Sequence, residues 1–303
     1  MKPLVIYHAD CTDGFGAAFA AWLKLGDDAE YLPMQYNVDF CDPVGQREVY
    51  ILDFSFPRET MHHLFATAKR VVWLDHHKTA FEIWCGDFVK GATFTEKSYQ
   101  GLHYVLLNDN KSGALLAWEY FHPDTEVPAL IRHIDDRDRW QFKLEGSREL
   151  HAALQSYRPW NFEQWKDYIS PLAHEWLFDE GRAILRAQEQ NIASMLKQAR
   201  KCEILWNPTS LPGEDTPLNK FRTSVGLALN APIHQSEIGH ELANQSSTYG
   251  LVWYMDVGDR VKCSLRSNGE YDVSAIARAF GGGGHLNAAG FETDIETLIQ
   301  WLK

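Results

Sequence analysis

Val71-Val72-Trp73-Leu74-Asp75-His76-His77 runs four apolar residues straight into an acid and two imidazoles. A short apolar run of this kind suits a strand buried on both faces. Two other segments repeat the pattern. Leu4-Val5-Ile6-Tyr7 leads into His8-Ala9-Asp10, and Val49-Tyr50-Ile51-Leu52 leads into Asp53. Between them lie the alanine-rich stretch Gly14–Leu25 and Pro57–Ala68, which opens with the proline that often starts a helix. Strands alternating with helices predict an α/β fold with a parallel sheet.

In open parallel sheets, ligands sit beyond the carboxyl ends of the strands. If the three strands are neighbours, His8, Asp10, Asp53, Asp75 and His76 converge on one crevice. Any one of these residues is explained by the end of a strand, where polar turn residues collect. Three strands ending alike point to a shared ligand. Carboxylates held so close repel one another, and cations relieve the repulsion. The set is rich in oxygen, with a few imidazoles and no cysteine cluster. Such a set suits manganese or a similar ion better than structural zinc. Two cations about 3.5–4 Å apart can clamp the attacking and leaving oxygens of a phosphoryl group.

Working outward, Ser112 is placed to cap a helix running to Phe121, and Val127–Ile134 reads as another helix. Glu175–Lys201 has no proline and one glycine, Gly181, and predicts a long connector helix. Asn207–Asn219 holds three prolines and a glycine and reads as a loop. Thr223–Leu229, Leu251–Val257 and Val261–Ser267 follow as strands, with a turn over residues 257–260 between the last two. Ser236 is expected to cap a helix through Asn244, and Ser274–Phe280 to form a further short one. The expected organisation is a catalytic domain over residues 1–174, a connector helix over 175–201, and a smaller mixed-sheet α/β substrate-binding domain over 202–303.

The second half carries features suited to phosphate. On the strand Val261–Ser267, Val261, Cys263 and Leu265 share one face, while Lys262, Ser264 and Arg266 share the other. Four consecutive glycines, Gly281 to Gly284, precede His285. Without Cβ atoms, their backbone N–H groups can approach a phosphate closely. Gly14-Phe15-Gly16 lacks the third glycine of a dinucleotide fingerprint, Phe19 standing in its place, and reads as close helix–strand packing. His62-His63 reads as surface, and Trp140 as an aromatic able to stack on a base.

Composition narrows the function classes. The chain has 303 residues and a net charge of −12, which argues against coating long nucleic acid, since that rests on Lys and Arg. No run of about 18 apolar residues suggests a membrane span. The apolar stretch before His8 is too short for a secretion signal. Five scattered cysteines, Cys11, Cys41, Cys85, Cys202 and Cys263, fit reduced thiols in a cytoplasm.

Asp75-His76-His77 after an apolar strand resembles the signature of the DHH phosphoesterases. Other segments resemble that family's motifs in the same order. His8-Ala9-Asp10-Cys11-Thr12-Asp13-Gly14 is similar to the first motif, Asp53 to the second, and Asp136-Arg137-Asp138-Arg139-Trp140 to the fourth. Gly281 through Gly290 is similar to the hallmark of the DHH-associated domain. The resemblance implies metal-assisted hydrolysis of a phosphate ester with two Mn2+ ions, for which Mg2+ or Co2+ can substitute. It makes His8, Asp10, Asp13, Asp53, His76 and Asp136 metal ligands, with Asp53 bridging and Asp135 and Asp138 competing with Asp136. His77 would face the substrate phosphate and Asp75 would orient the site. Arg266, Gly283, Gly284, His285 and Asn287 would contact substrate. The first motif departs from the family's usual Asp-x-Asp, since Asp10 and Asp13 lie three apart, and this leaves their division between the metals open. The implied substrate is a short linear dinucleotide, with cyclic dinucleotides, nucleoside 3′,5′-bisphosphates or another small phosphate ester as alternatives. A nucleotide-binding protein without catalysis is the reading outside enzymes. No long nucleic acid and no membrane is expected as a partner, and a homodimer is one open option for assembly.

Overall fold

The computed structural model describes residues 1–36, 38, 40, 44–84, 95–99, 102–207, 221–258, 260–269 and 271–303. Cys41, Cys85, residues 208–219 of the expected loop and Asp259 of the expected turn lie outside the described residues. The chain divides into two compact units, Met1–Leu185 and Arg186–Lys303.

The first unit is built on a sheet whose strands are apolar toward both faces. In chain order it comprises β1 (Leu4–His8), α1 (Thr12–Leu25), β2 (Glu30–Met34), β3 (Glu48–Leu52), α2 (Arg58–Thr67), β4 (Arg70–Asp75), α3 (Lys78–Ile83), β5 (Thr95–Tyr99), β6 (His103–Leu107), α4 (Gly113–Phe121), α5 (Ala129–Asp138), α6 (Ser147–Ser156) and α7 (Phe162–Tyr168). The strand order is β2-β1-β3-β4-β6-β5, with five strands parallel and β5 antiparallel at one edge. Alternate residues feed two cores. Val5, Tyr7, Leu52, Val72 and Leu74 pack with α1, α4 and the helices after it, while Leu4, Ile6, Ile51, Val71 and Trp73 pack with α2 and α3. That two-sided burial explains why these strands are continuous apolar runs.

Ser112 caps α4 as expected, its hydroxyl accepting from the Leu115 N–H at 3.4 Å. The helix expected over Val127–Ile134 starts two residues later, because Pro128 disfavours helical backbone at Val127, and it runs on to Asp138. Gly14 and Gly16 serve close packing. A Cβ on Gly14 would lie 2.1 Å from the His8 carbonyl oxygen, and one on Gly16 would lie 3.0 Å from the Ala114 Cβ. The long helix α8 spans Pro171–Leu196, and the division between the units falls within it. It stops short of Lys201, since residues 200 and 201 already belong to a strand.

The second unit is a mixed sheet, β11-β12-β10-β9-β8-β7. Its elements are β7 (Arg200–Trp206), β8 (Arg222–Asn230), α9 (Gln235–Ser246), β9 (Tyr249–Met255), β10 (Val261–Ser267), α10 (Val273–Ala279), β11 (Gly283–His285), β12 (Ala288–Thr293) and α11 (Ile295–Trp301). The β8–β9 pair is parallel and the remaining pairs are antiparallel. Val261, Cys263 and Leu265 face a core closed by α10 and α11, and α9 covers the opposite face. Ser236 does not cap α9. His234 precedes that helix in a left-handed backbone (φ 56°), and the Ser236 hydroxyl instead accepts from Arg266 Nη2 at 2.8 Å. Asp272, by contrast, caps α10 through the N–H groups of Ser274 and Ala275. No helix among the described residues is long and apolar enough to cross a membrane.

Candidate metal centre

Strands β1, β3 and β4 are neighbours, so the residues after their carboxyl ends gather at one place. The chain leaves β3 through a left-handed turn at Asp53 (φ 54°), a conformation unfavourable for a residue with a Cβ. Gly113, at the start of α4, makes room for it. A Cβ there would lie 2.4 Å from that of Asp53. Asp53 is 1% exposed. Its Oδ1 lies 3.0 Å from His76 Nε2, and its Oδ2 lies 3.5 Å from His8 Nδ1. Yet both oxygens and His8 Nδ1 are buried without an aligned hydrogen-bond partner. An unsatisfied buried polar atom costs about 1–3 kcal/mol, more when charged. Three of them converging suit a ligand that takes lone pairs, and a cation is such a ligand.

Asp13 completes one side of the cluster. Its carboxylate accepts from the N–H groups of Gly113 (2.6 Å) and Ala114 (2.9 Å), at the amino end of α4. Its Oδ2 lies 3.4 Å from His76 Nε2, and Asp138 Oδ2 lies 3.6 Å from the same nitrogen. Asp13, His76 and Asp138 thus offer three ligand atoms within 4.8 Å of one another. His8, Cys11 and Asp53 do the same on the other side. The donor set fits divalent cations.

The electrostatics express the same crowding. Burial disfavours a charged His8, but the Asp53 carboxylate and the Cys11 thiol outweigh it, and His8 is pushed up to about 11. His76 is likewise raised despite burial, by Asp53, Asp138 and Asp13. Burial and the carboxylates of Asp53 and Asp138 push Asp13 well above the usual carboxylate range. Asp53 goes the opposite way, because His76 and His8 overcome its burial and hold it ionised. The cluster therefore retains protons on imidazoles and on one acid, in places where cations would neutralise the carboxylates.

Asp75 and His77 form a separate arrangement at the end of β4. Asp75 is fully buried and accepts from the Ser55 hydroxyl, the His76 N–H (2.7 Å) and the His77 N–H (3.3 Å). Its Oδ1 also lies 2.7 Å from His77 Nδ1. Burial opposes its charge, but His77 holds Asp75 below the usual carboxylate range. Tyr36 stacks on Phe54, with ring centroids 4.7 Å apart, and stands edge-on to His8 and His77 at 5.3 and 6.0 Å.

Residues 231–303 match the DHHA1 domain. Uncharacterized protein R106 of Acanthamoeba polyphaga mimivirus is 29% identical over 307 residues, covering 95% of this chain and 66% of that protein. Oligoribonuclease NrnB of Bacillus subtilis is 21% identical over 303 residues, covering 94% of this chain and 71% of the relative. The first match puts a DHHA1 domain at residues 231–303, in keeping with the resemblance of the chain's motifs to those of the DHH phosphoesterases. An exopolyphosphatase-related protein from Bacteroides fragilis shares the fold, with a TM-score of 0.50 and 15% identity over 99% of this chain and 89% of that one.

Against the DHH motifs, the structure gathers His8, Asp13, Asp53 and His76, with Asp75 and His77 beside them. It does not gather Asp10 or Asp136. Asp10 takes a left-handed backbone (φ 57°), and its side chain is 75% exposed. There it accepts from Gln35 Nε2 (3.2 Å), while the Arg158 guanidinium bonds its carbonyl oxygen and lies 3.8 Å from its carboxylate. Asp136 is buried elsewhere, accepting from the N–H groups of Lys143 (2.8 Å) and Leu144 (3.1 Å) and from the Ser147 hydroxyl (2.6 Å). It joins none of the candidate metal groups among the described residues, and Asp138 stands where it was expected. Asp135 accepts from the Ser112 N–H at 2.8 Å and lies 3.4 Å from Arg139. Cys11 is in the cluster although the sequence suggested no cysteine there.

The substrate candidates of the DHHA1 domain lie in the second unit. Arg266 donates to Ser236 and to the Leu265 carbonyl, its stem passing over Gly239. The glycine run is not all loop, since Gly283, Gly284 and His285 form edge strand β11 against β12. Gly284 has φ 138°, and a Cβ there would lie 2.4 Å from the Ala288 carbonyl oxygen, so only glycine fits. Asn287 is exposed and accepts from the Ser267 hydroxyl at 2.9 Å.

Proposed function

We propose that this chain hydrolyses short linear nucleotides, dinucleotides foremost, with two divalent cations held around Asp53. The observation that carries the reading is the buried Asp53 carboxylate, with an imidazole close to each oxygen and a hydrogen bond to neither. Asp53 would serve both cations, His8 the first, and Asp13, His76 and Asp138 the second. The ions proposed are Mn2+, with Mg2+ or Co2+ as substitutes. When bound, they would activate water and neutralise charge gathering on the phosphoryl oxygens.

The chain's own residues position and exclude. The amino end of α4 fixes Asp13, and so sets where one ligand atom points. Asp75 holds His77 through Nδ1, which leaves the Nε2 edge as the ring's contact with the substrate phosphate. Tyr36 gives an aromatic wall beside His8 and His77 on which a base can stack. The proposed part of the DHHA1 domain is to hold the rest of the substrate through Arg266, His285, Asn287 and the backbone of Gly283 and Gly284. The choice of a short substrate is supported by the oligoribonuclease relative and by the net charge of −12, which would repel the further phosphates of a long strand.

The test is a time course on RNA from two to about ten nucleotides long, at matched manganese and salt. Cleavage fastest on dinucleotides, falling with length, is the expected result. Equal or faster cleavage of the longest strand would make the chain an exonuclease. Inactivity on all of them, with phosphate released from a nucleoside 3′,5′-bisphosphate, would make it a phosphatase.

A further inference from the structure

We propose that Cys11, and not Asp10, is the third protein ligand of the first cation, together with His8 and Asp53. The proposal rests on the two-cation reading above and specifies one of its ligands.

The local backbone dictates which side chain enters. After His8 the chain turns through the left-handed Asp10, which sends the Asp10 side chain to solvent. Two further residues hold that turn. Gln35 Nε2 donates to the Ala9 carbonyl (3.1 Å) and to the Asp10 carboxylate (3.2 Å), and Arg158 grips the Asp10 carbonyl. Bringing the Asp10 carboxylate inward would break its bond to Gln35 and draw it away from Arg158. The next residue, Cys11, is extended (φ −120°, ψ 135°) at the start of α1. A serine, threonine or aspartate at such a position usually caps the helix, but the Cys11 side chain makes no cap bond. It is a half-buried free thiol whose sulfur lies within 4.8 Å of a ligand atom on both His8 and Asp53.

A lone thiol at a helix start would carry no such assignment. The second observation is what faces it. Asp53, 1% exposed, has both oxygens without a hydrogen-bond partner, and His8 Nδ1 is in the same condition. One nitrogen, one sulfur and one oxygen around a common point form a mixed set that zinc, cobalt or cadmium accepts more readily than magnesium does. Binding at the sulfur and at His8 Nδ1 displaces the protons those atoms carry, and these pass to water. The site then differs in kind from its neighbour, where Asp13, His76 and Asp138 offer only oxygen and nitrogen. Its thiol would also make the unloaded enzyme open to oxidation at Cys11, and cation binding would shield it.

The experiment loads the full chain, stripped by chelator, with Co2+, measures cobalt content by elemental analysis and records the near-ultraviolet spectrum. The expected result is a sulfur-to-cobalt charge-transfer band in the unmodified chain. That band is lost in Cys11→Ser with cobalt still bound, and kept in Asp10→Asn. Bound cobalt without the band, or a band that survives Cys11→Ser, overturns the assignment and leaves the two-cation reading standing. Uptake of no divalent ion at all sinks both. Should Cys11→Ser fail to fold, alkylation of the unmodified chain decides. Cys11 is expected to react with iodoacetamide when stripped and to be protected when loaded, as read by peptide mass, and equal labelling in both states overturns the proposal.

Discussion

Asp53 and Asp136 are both buried aspartates of the first unit, and their surroundings are opposite. Asp136 accepts three hydrogen bonds, from the Lys143 and Leu144 N–H groups and the Ser147 hydroxyl, and these hold it below the usual carboxylate range against its burial. Asp53 has two imidazoles within 3.5 Å and a hydrogen bond to neither. A satisfied buried carboxylate ties a loop to a helix, whereas an unsatisfied one waits for a ligand. The difference suits Asp136 to stabilising the fold and Asp53 to the proposed cation site, though both lie in segments that resemble motifs of one family.

The largest effect that could break this contrast is at Asp53. Asp53→Asn is expected to lower turnover by about 10³-fold or more, on the scale seen when a transition-state charge stabiliser is lost. Cation content should fall with it, and so should the extra stability that added cations give the folded chain. A clear drop in stability, with activity kept, would assign Asp53 to the fold. Asp136→Ala should do the reverse, lowering stability by about 3 kcal/mol as its donors lose a charged acceptor. Denaturant unfolding reads that loss, and cation content per folded chain should not change. Asp138→Asn, two residues away, should lose turnover with little loss of stability, and the opposite result would return Asp136 to the metal.

Gly113→Ala sharpens the comparison, since its Cβ would collide with Asp53. It is expected to reduce turnover about tenfold or more, on the scale of a misplaced catalytic group. Steady-state kinetics with cation titration reads the effect. In acid, Asp136 gives a signed prediction. Its folded value is depressed, so its contribution to stability is present above the unfolded value of about 3.9 and is lost as pH falls through the folded value. Unfolding curves should therefore show the unmodified chain losing its advantage over Asp136→Asn below about pH 4. A difference independent of pH would contradict the hydrogen-bonded carboxylate. The smallest effect is expected at Asp10, where Asp10→Asn should change turnover by less than about tenfold, since an exposed group in water contributes little.

The strands that carry the site were legible because burial on both faces makes them unbroken apolar runs ending in acids and imidazoles. The Ser112 cap and the close packing at Gly14 and Gly16 were legible for equally local reasons. The fourth motif was not resolved, because three acids stand within four residues on one helix. Periodicity holds the clue, since Asp135 and Asp138 lie one turn apart on α5 while Asp136 points elsewhere. Cys11 gave no such signal. It sits where β1 passes into α1, and there side-chain direction is set by the left-handed Asp10 and by the contacts of Gln35 and Arg158, which are remote in sequence. Ser236 misled because a capping residue type does not fix the backbone before it, and His234 there is left-handed.

The two bonds from the amino end of α4 to Asp13 join segments 100 residues apart. Closing a loop of that length costs about 4 kcal/mol of chain entropy, so this corner of the site comes together only after both ends have found their places. On a ribosome, a chain that has delivered the first three motifs still lacks the helix that anchors Asp13. The corner of the site around Asp13 would thus form only with the arrival of a glycine and an alanine that take no part in the chemistry themselves.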